Sequence, residues 1–279
     1  MTEEIPGQPD GAAAPAGGLG TLRRFNRFEL KYLMTVAATE RFKTAIGPYV
    51  SRDPHSGLDG LYHLASLYFD TPDRQFYWEK IDGIRFRRKV RIRTYRDGSQ
   101  LTEASPVFVE IKQRLNRVIQ KRRAAVAYGD ALDLCNTGII PAHDPVDTAT
   151  IEEVAGMVAW YGLEPSGITL YAREAFVGGD EDAGLRITFD GDLRYRVGRN
   201  LGLHAPDPGI PMINPAWLIL EIKVNERIPY WVTELVAEHN CQLIRVSKYC
   251  QALEAADTMP RSIFFLDDET LQQRGVPDG

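Results

Sequence analysis

Lysine, arginine and glutamate recur at alternate positions along several segments of this chain, a pattern that can hold and neutralise a polyanion. In RKVRIRTY, residues 88 to 95, Lys89, Arg91 and Arg93 fall on one phase, and Val90, Ile92 and Thr94 fall on the other. Upstream, Arg85 and Arg87 join the cationic phase. Successive side chains of a strand point to opposite faces, so this alternation puts the cations on one face of a strand. Like charges stacked on one face repel unless something negative answers them.

The same scheme recurs in FELK (28 to 31), VEIK (109 to 112) and LEIK (220 to 223). Glu29 with Lys31, Glu110 with Lys112, and Glu221 with Lys223 each project from one face, with apolar residues opposite. Arg173 shares a phase with Tyr171, and Arg186 shares one with Thr188 and Asp190. Lys121 and Arg123 form a further pair. Between Arg122 and Arg123, alternation favours Arg123 as the inward residue, because Val126 and Tyr128 share the phase of Arg122. On a single strand this pattern describes a solvated face, whose cross-strand Glu–Lys pairs contribute only tenths of a kcal/mol each. Repeated over many strands with cations in excess, it describes the lining of a channel for a polyphosphate. The acids would then hold a divalent metal bridging phosphate oxygens.

The elements that must position these residues are mostly strands. RFNRFELKYLM predicts a strand, and TVAATERFKTAIGPYV a helix capped by Thr35 and stopped at Gly47-Pro48. YHLASLYFDTP alternates into a turn, RQFYWEKIDG predicts a short helix, and VFVEIKQR with IQKRRAAVAY predicts a hairpin around Leu115-Asn116. GDALDLCNTG and TIEEVAGMVAWYGL look helical. GITLYAREAFVG, LRITFDGDLRYRV and WLILEIKVN look like strands, and PYWVTELVAEHN and SKYCQALEAA like helices. Without regular βα alternation, the class expected is α+β with a largely antiparallel sheet or barrel. Residues 1–20 have almost nothing to bury and are expected to be a disordered tail, residues 21–257 the domain, and residues 258–279 a C-terminal tail.

Composition bounds the function classes. The 279 residues, 25% charged and 44% hydrophobic, are those of an ordinary globular protein, and the net charge is -5. Bulk charge therefore argues against a nucleic-acid partner, and the basic stripes mean local segregation of charge. Cys135, Cys241 and Cys250 have neither paired nor metal-ligand spacing, which suits a reducing, cytoplasmic setting. The start lacks the pattern of a signal peptide, and the longest apolar runs fall far short of the ~20 residues a membrane span needs. No phosphate-binding Gly-x-x-x-x-Gly-Lys loop or His-Glu-x-x-His pattern occurs, and the five histidines form no ligand spacing. Trp160, Trp217 and Trp231 are expected to pack helices onto the sheet.

ELKY, SLYFDT, RIRTY, VEIK, KRR, YAREAF, LRITFD, LEIK and SKY, in this order from about Arg24 to about Leu253, resemble the VTC domain. That is the polyphosphate polymerase branch of the triphosphate tunnel metalloenzymes, related to CYTH proteins. The resemblance implies an eight-stranded antiparallel tunnel with helices outside and a C-terminal helix near its mouth. It implies transfer of the γ-phosphate of ATP onto growing inorganic polyphosphate, with Mn²⁺ or Mg²⁺. Carried over by motif, Arg91, Arg93, Lys112, Arg186 and Lys223 would act on the reacting phosphates. Lys31, Lys121, Arg123, Arg173 and Lys248 would bind substrate, and Glu221 would hold the metal. Glu29 and Glu110 would set the positions of neighbouring cations. Hydrolytic relatives open with Glu-x-Glu-x-Lys, whereas Arg27 stands here at the first acidic place. A triphosphate hydrolase of the same fold and a non-catalytic polyphosphate-binding module are the alternatives. Export of product through a bilayer would need a membrane partner.

Overall fold

A computed structural model describes residues 28–54, 56–57, 60–96, 100–116, 118–205, 207–225 and 227–269. The expected N-terminal tail, Arg27 and the last ten residues lie outside them. Eight long strands carry the molecule: β1 (Phe28–Thr35), β3 (Leu61–Asp70), β4 (Phe86–Arg96), β5 (Pro106–Leu115), β6 (Val118–Ala127), β7 (Glu164–Gly178), β8 (Arg186–Arg196) and β10 (Trp217–Val224). Each coincides with a segment whose alternation predicts a strand. Three further strands, β2 (Val50–Arg52), β9 (Ile210–Pro211) and β11 (Gln242–Leu243), are too short to show any period.

All pairings are antiparallel, in the order β11-β1-β10-β8-β7-β3-β4-β5-β6, with β2 on β7 and β9 on β8 off that path. The class is α+β, as expected. The sheet has 11 strands where eight are expected, and its strand ladder does not close on itself among the described residues. Closure is made by side chains: Lys112 Nζ of β5 lies 3.2 Å from Glu29 Oε2 of β1, although five strands separate them along the ladder. The sheet curls until its inner faces meet.

The apolar phase of the strands faces outward under six helices: α1 (Val36–Ile46), α2 (Gln75–Ile81), α3 (Tyr128–Thr137), α4 (Thr148–Tyr161), α5 (Tyr230–Glu238) and α6 (Lys248–Ala255). Val90, Ile92, Val109 and Ile111 pack with Leu134 of α3 and with Ile151 and Val154 of α4. Ile187, Leu220 and Ile222 pack with Phe42 and Ile46 of α1 and Val232 of α5. Thr35 caps α1 by accepting the Ala38 N–H at 3.1 Å, as the sequence predicts. Asn116 turns the β5–β6 hairpin at φ 55°, a conformation that asparagine tolerates. The chain goes on packing after α6, with Phe265 and Leu266 buried and Leu266 N–H donating to Gln251. Of the tryptophans, Trp217 is buried and Trp231 stacks on Tyr49. Trp160 does not pack as expected: it lies in the last turn of α4 at 88% exposure. The helix buries Val154 and Val158, and position 160 falls on its opposite side.

Candidate functional site: a cation-lined channel

With the apolar phase committed to the helices, the polar phase of the long strands is left facing into the curl. A cavity of about 680 Å³ runs there. It merges with a smaller one of about 100 Å³ that shares Glu29, Arg91, Arg93, Lys112, Arg173 and Lys223 with it. One end is marked by Tyr62, Tyr95 and Arg186, the other by Lys80, Arg87 and Arg245. Among the described residues, the larger cavity is lined by thirteen lysines and arginines against two carboxylates, Glu29 and Glu221. That excess suits a polyanion.

Cross-strand register sets the arginines in place. Tyr68 of β3, Arg91 of β4 and Glu110 of β5 stand directly opposite one another, and Ser66 stands opposite Arg93. Arg91 donates from Nε to Glu110 Oε2 at 2.7 Å and from Nη1 to Tyr68 Oη at 3.0 Å. Arg93 donates from Nε to Ser66 Oγ and from Nη2 to Tyr171 Oη, both at 3.0 Å. Lys121 approaches Glu110 at 3.8 Å. Burial alone would raise the Glu110 pKa, but the charges of Arg91, Arg93 and Lys121 bring it down to about 2. Glu110 is a fixed anion beneath the floor, which holds the arginines in position.

A second cluster surrounds Glu221 of β10. Arg173 donates to both oxygens of Asp190, at 2.5 and 2.7 Å, and to Glu221 Oε2 at 3.1 Å. Lys248, the first residue of α6, reaches Asp190 at 2.5 Å and Glu221 at 2.9 Å. Lys31 bridges Glu29 at 3.2 Å and Glu221 at 3.3 Å, while Lys223 lies 3.6 Å from Glu221. Burial disfavours charge on Glu221, yet Lys248, Lys31, Arg173 and Lys223 outweigh it and hold the carboxyl well below its ordinary range. Glu29 is likewise lowered against its burial, chiefly by Lys112 and Lys31.

Lys31, Arg91, Arg93, Lys112, Arg173, Lys223, Lys248 and Glu221 thus converge on the larger cavity, while Lys121 and Arg186 line the smaller one. Arg123 lines neither; its guanidinium sits 4.7 Å from the centroid of the Phe108 ring. Arg122 points outward to Glu153 of α4, as alternation favours. Some partners of these cations carry no signal in the sequence. Tyr68 and Ser66 share a strand phase with Leu64, which shows no charge pattern. Asp53, which holds Arg186 Nη1 at 2.6 Å, comes from a loop.

Among the described residues, no three histidine, cysteine or acidic side chains gather as a preformed metal cage. Asp190 and Glu110 are fully buried and held by arginines. Glu29 and Glu221 do face the cavity and share Lys31 between them. Two carboxylates on a cationic wall fit a small divalent cation, which takes one or two carboxylates and completes its shell with water and the oxygens of a bound anion.

A profile of the VTC domain matches residues 26–256. No curated protein matches. Among solved structures, a Bacillus halodurans protein described as a candidate adenylate cyclase aligns at 13% identity and TM-score 0.44, over 78% of this chain and 92% of its own. A Pyrococcus horikoshii protein aligns at 14% identity and TM-score 0.42, over 82% and 98%. A Hippeastrum protein, described as a candidate adenylyl cyclase with a dominant triphosphatase activity, aligns at 13% identity and TM-score 0.40, over 84% and 97%. Similarity this distant adds nothing to what the sheet itself shows. The profile match spans most of the sequence, and its limits take in every element that lines the channel: the chain belongs to the VTC domain family.

Proposed function

We propose that the chain is a metal-dependent polyphosphate polymerase, transferring the γ-phosphate of ATP onto inorganic polyphosphate inside the channel. The observation that carries this reading is the continuous cavity with a large excess of lysine and arginine on its wall. Phosphoryl transfer needs in-line positioning and neutralisation of charge more than it needs a protein nucleophile. Arg91 and Arg93 offer planar forks to phosphate oxygens, and Lys31, Lys112, Lys223 and Lys248 offer point charges. Glu110, Asp190 and Asp53 keep the arginines in position before substrate arrives. Glu221, with Glu29, would hold Mn²⁺ or Mg²⁺, which would supply charge neutralisation at the transferred phosphoryl group. The acceptor is the terminal oxygen of the growing chain, already ionised at neutral pH, so no general base is required.

Hydrolysis is the second reading. It needs a water oriented by a carboxylate. Here Arg27 replaces the first acid of the hydrolytic pattern. The test is incubation with ATP and Mn²⁺, with products resolved by gel and by phosphate assay. Long-chain polyphosphate with matching ADP is the expected result. Release of free phosphate alone would assign the channel to hydrolysis instead.

A further inference from the structure

Tyr68 is a channel residue that the polymerase reading leaves without a role. It lies on β3 at the point where the pairing with β7 shifts register. Such irregularities re-aim side chains beside functional sites. Its ring stacks on Tyr249 of α6, with centroids 5.0 Å apart, and its hydroxyl accepts from Arg91 Nη1 at 3.0 Å. Only 6% of the residue is exposed, yet it lines the larger cavity.

The groups around it are lopsided in charge. From β4 come Lys89, Arg91 and Arg93. From β7, Tyr171 accepts from Arg93, and Arg173 is held by Asp190 and Glu221. From α6 and its Ser247 cap, Ser247 and Cys250 meet Lys89, and Lys248 is held by Asp190 and Glu221. The Tyr249 hydroxyl donates to Asp70 and is met by Ser166. Glu110 offsets part of the Arg91 charge, and Asp70 is taken up by the N–H groups of Thr71, Phe76 and Tyr77, which leaves cations in excess around the phenol. Burial would raise the phenol's pKa, but Arg91, Arg93 and Lys89, with the Arg91 hydrogen bond, outweigh it and bring it down to about 7.

We propose that Tyr68 is a proton-exchanging ligand group of the channel, a phenolate against Arg91 in the ligand-free protein and a neutral hydrogen-bond donor to a phosphate oxygen in the complex. The inference rests on the channel's binding polyphosphate. An incoming phosphate draws the Arg91 fork toward itself and brings negative charge beside the phenolate oxygen. Both changes favour the neutral form, so the oxygen takes a proton from solvent and can donate it to the phosphate. No other bond forms or breaks. Binding linked to uptake of one proton weakens about tenfold per pH unit above the free-site pKa.

The probe is tripolyphosphate without metal, titrated calorimetrically at about pH 8 in buffers of different ionisation enthalpy. Ionisation of the tripolyphosphate itself contributes alike to both proteins and cancels in the difference between wild type and Tyr68→Phe. Wild type should take up close to one proton more per site than Tyr68→Phe, and its tyrosinate absorbance should fall on binding. Tyr249→Phe should keep the wild-type proton count. The absorbance change is read on wild type alone, so it stands even if Tyr68→Phe folds poorly. Binding with equal proton counts in wild type and Tyr68→Phe, or with no absorbance change, would overturn the role of Tyr68 and leave the channel reading intact. No binding by wild type would overturn both.

Discussion

Arg93 and Glu221 stand on the same inner wall, but a bound polyanion should respond to their removal in opposite senses. Arg93 is a cation with two of its donors on Ser66 and Tyr171. Arg93→Ala should lower kcat/KM by roughly 10- to 100-fold, the worth of ~1.5–3 kcal/mol for a charge-assisted hydrogen bond, with binding and turnover falling together. Glu221 is the shared anion of Lys31, Arg173, Lys223 and Lys248. Glu221→Gln removes an anion those cations share and leaves Asp190 and Glu29 to offset them alone, so the ligand-free protein should lose stability, by about 3 kcal/mol. Tripolyphosphate should restore it and bind as well as or better than to wild type, while turnover is abolished. Mn²⁺-dependent synthesis near the wild-type rate would show that the metal is held elsewhere, with Glu29 the remaining cavity-facing acid.

Glu110 gives a pH test at the same scale. Its folded pKa, about 2, lies below the ordinary 4.5, so its contribution to stability is complete above 4.5 and is lost as pH falls from there toward about 2. Thermal midpoints of wild type and Glu110→Gln should therefore converge as the pH drops through that window. A difference that stays constant would mean that Glu110 is not ionised against Arg91. These residues were unequally legible. Lysines, arginines and acids on a two-residue period announce themselves, whereas Tyr68 and Asp53 matter only through partners on other elements.

At the scale of elements, alternation located every long strand because one face of each is buried against helices and the other faces the channel. That constraint forces apolar and polar residues into strict phase. The three short strands escaped because two or three residues cannot show a period. How the sheet closes was not legible either, since the Glu29–Lys112 contact joins residues 83 positions apart. The end of the channel near α6 depends on how that helix is seated. Its Ser247 cap accepts the Cys250 N–H, Lys248 enters the Glu221 cluster, and Tyr249 donates to Asp70, which also caps α2. Tyr249→Phe removes the donor to a buried carboxylate and should cost about 1–3 kcal/mol. Amide exchange should quicken in α2 and α6 while the β4–β5–β6 hairpins keep their protection. Uniform quickening across the sheet would contradict a local seating role.

At the scale of the whole molecule, a protein of net charge -5 encloses a strongly cationic interior, the segregation of charge that the proposed polyphosphate channel requires. No helix among the described residues is long and apolar enough to cross a membrane. The enclosed cations repel one another, and the ligand-free fold carries that cost. A polyanion should therefore stabilise the protein by mass action and by relief of repulsion, and salt should erode the effect. The most direct measurement is the thermal midpoint with and without millimolar tripolyphosphate, repeated as ionic strength is raised. A clear upward shift is expected at low salt, shrinking steadily as salt is added and diminished in Arg93→Ala. No shift at low salt, or a shift indifferent to both salt and Arg93, would contradict a polyphosphate channel.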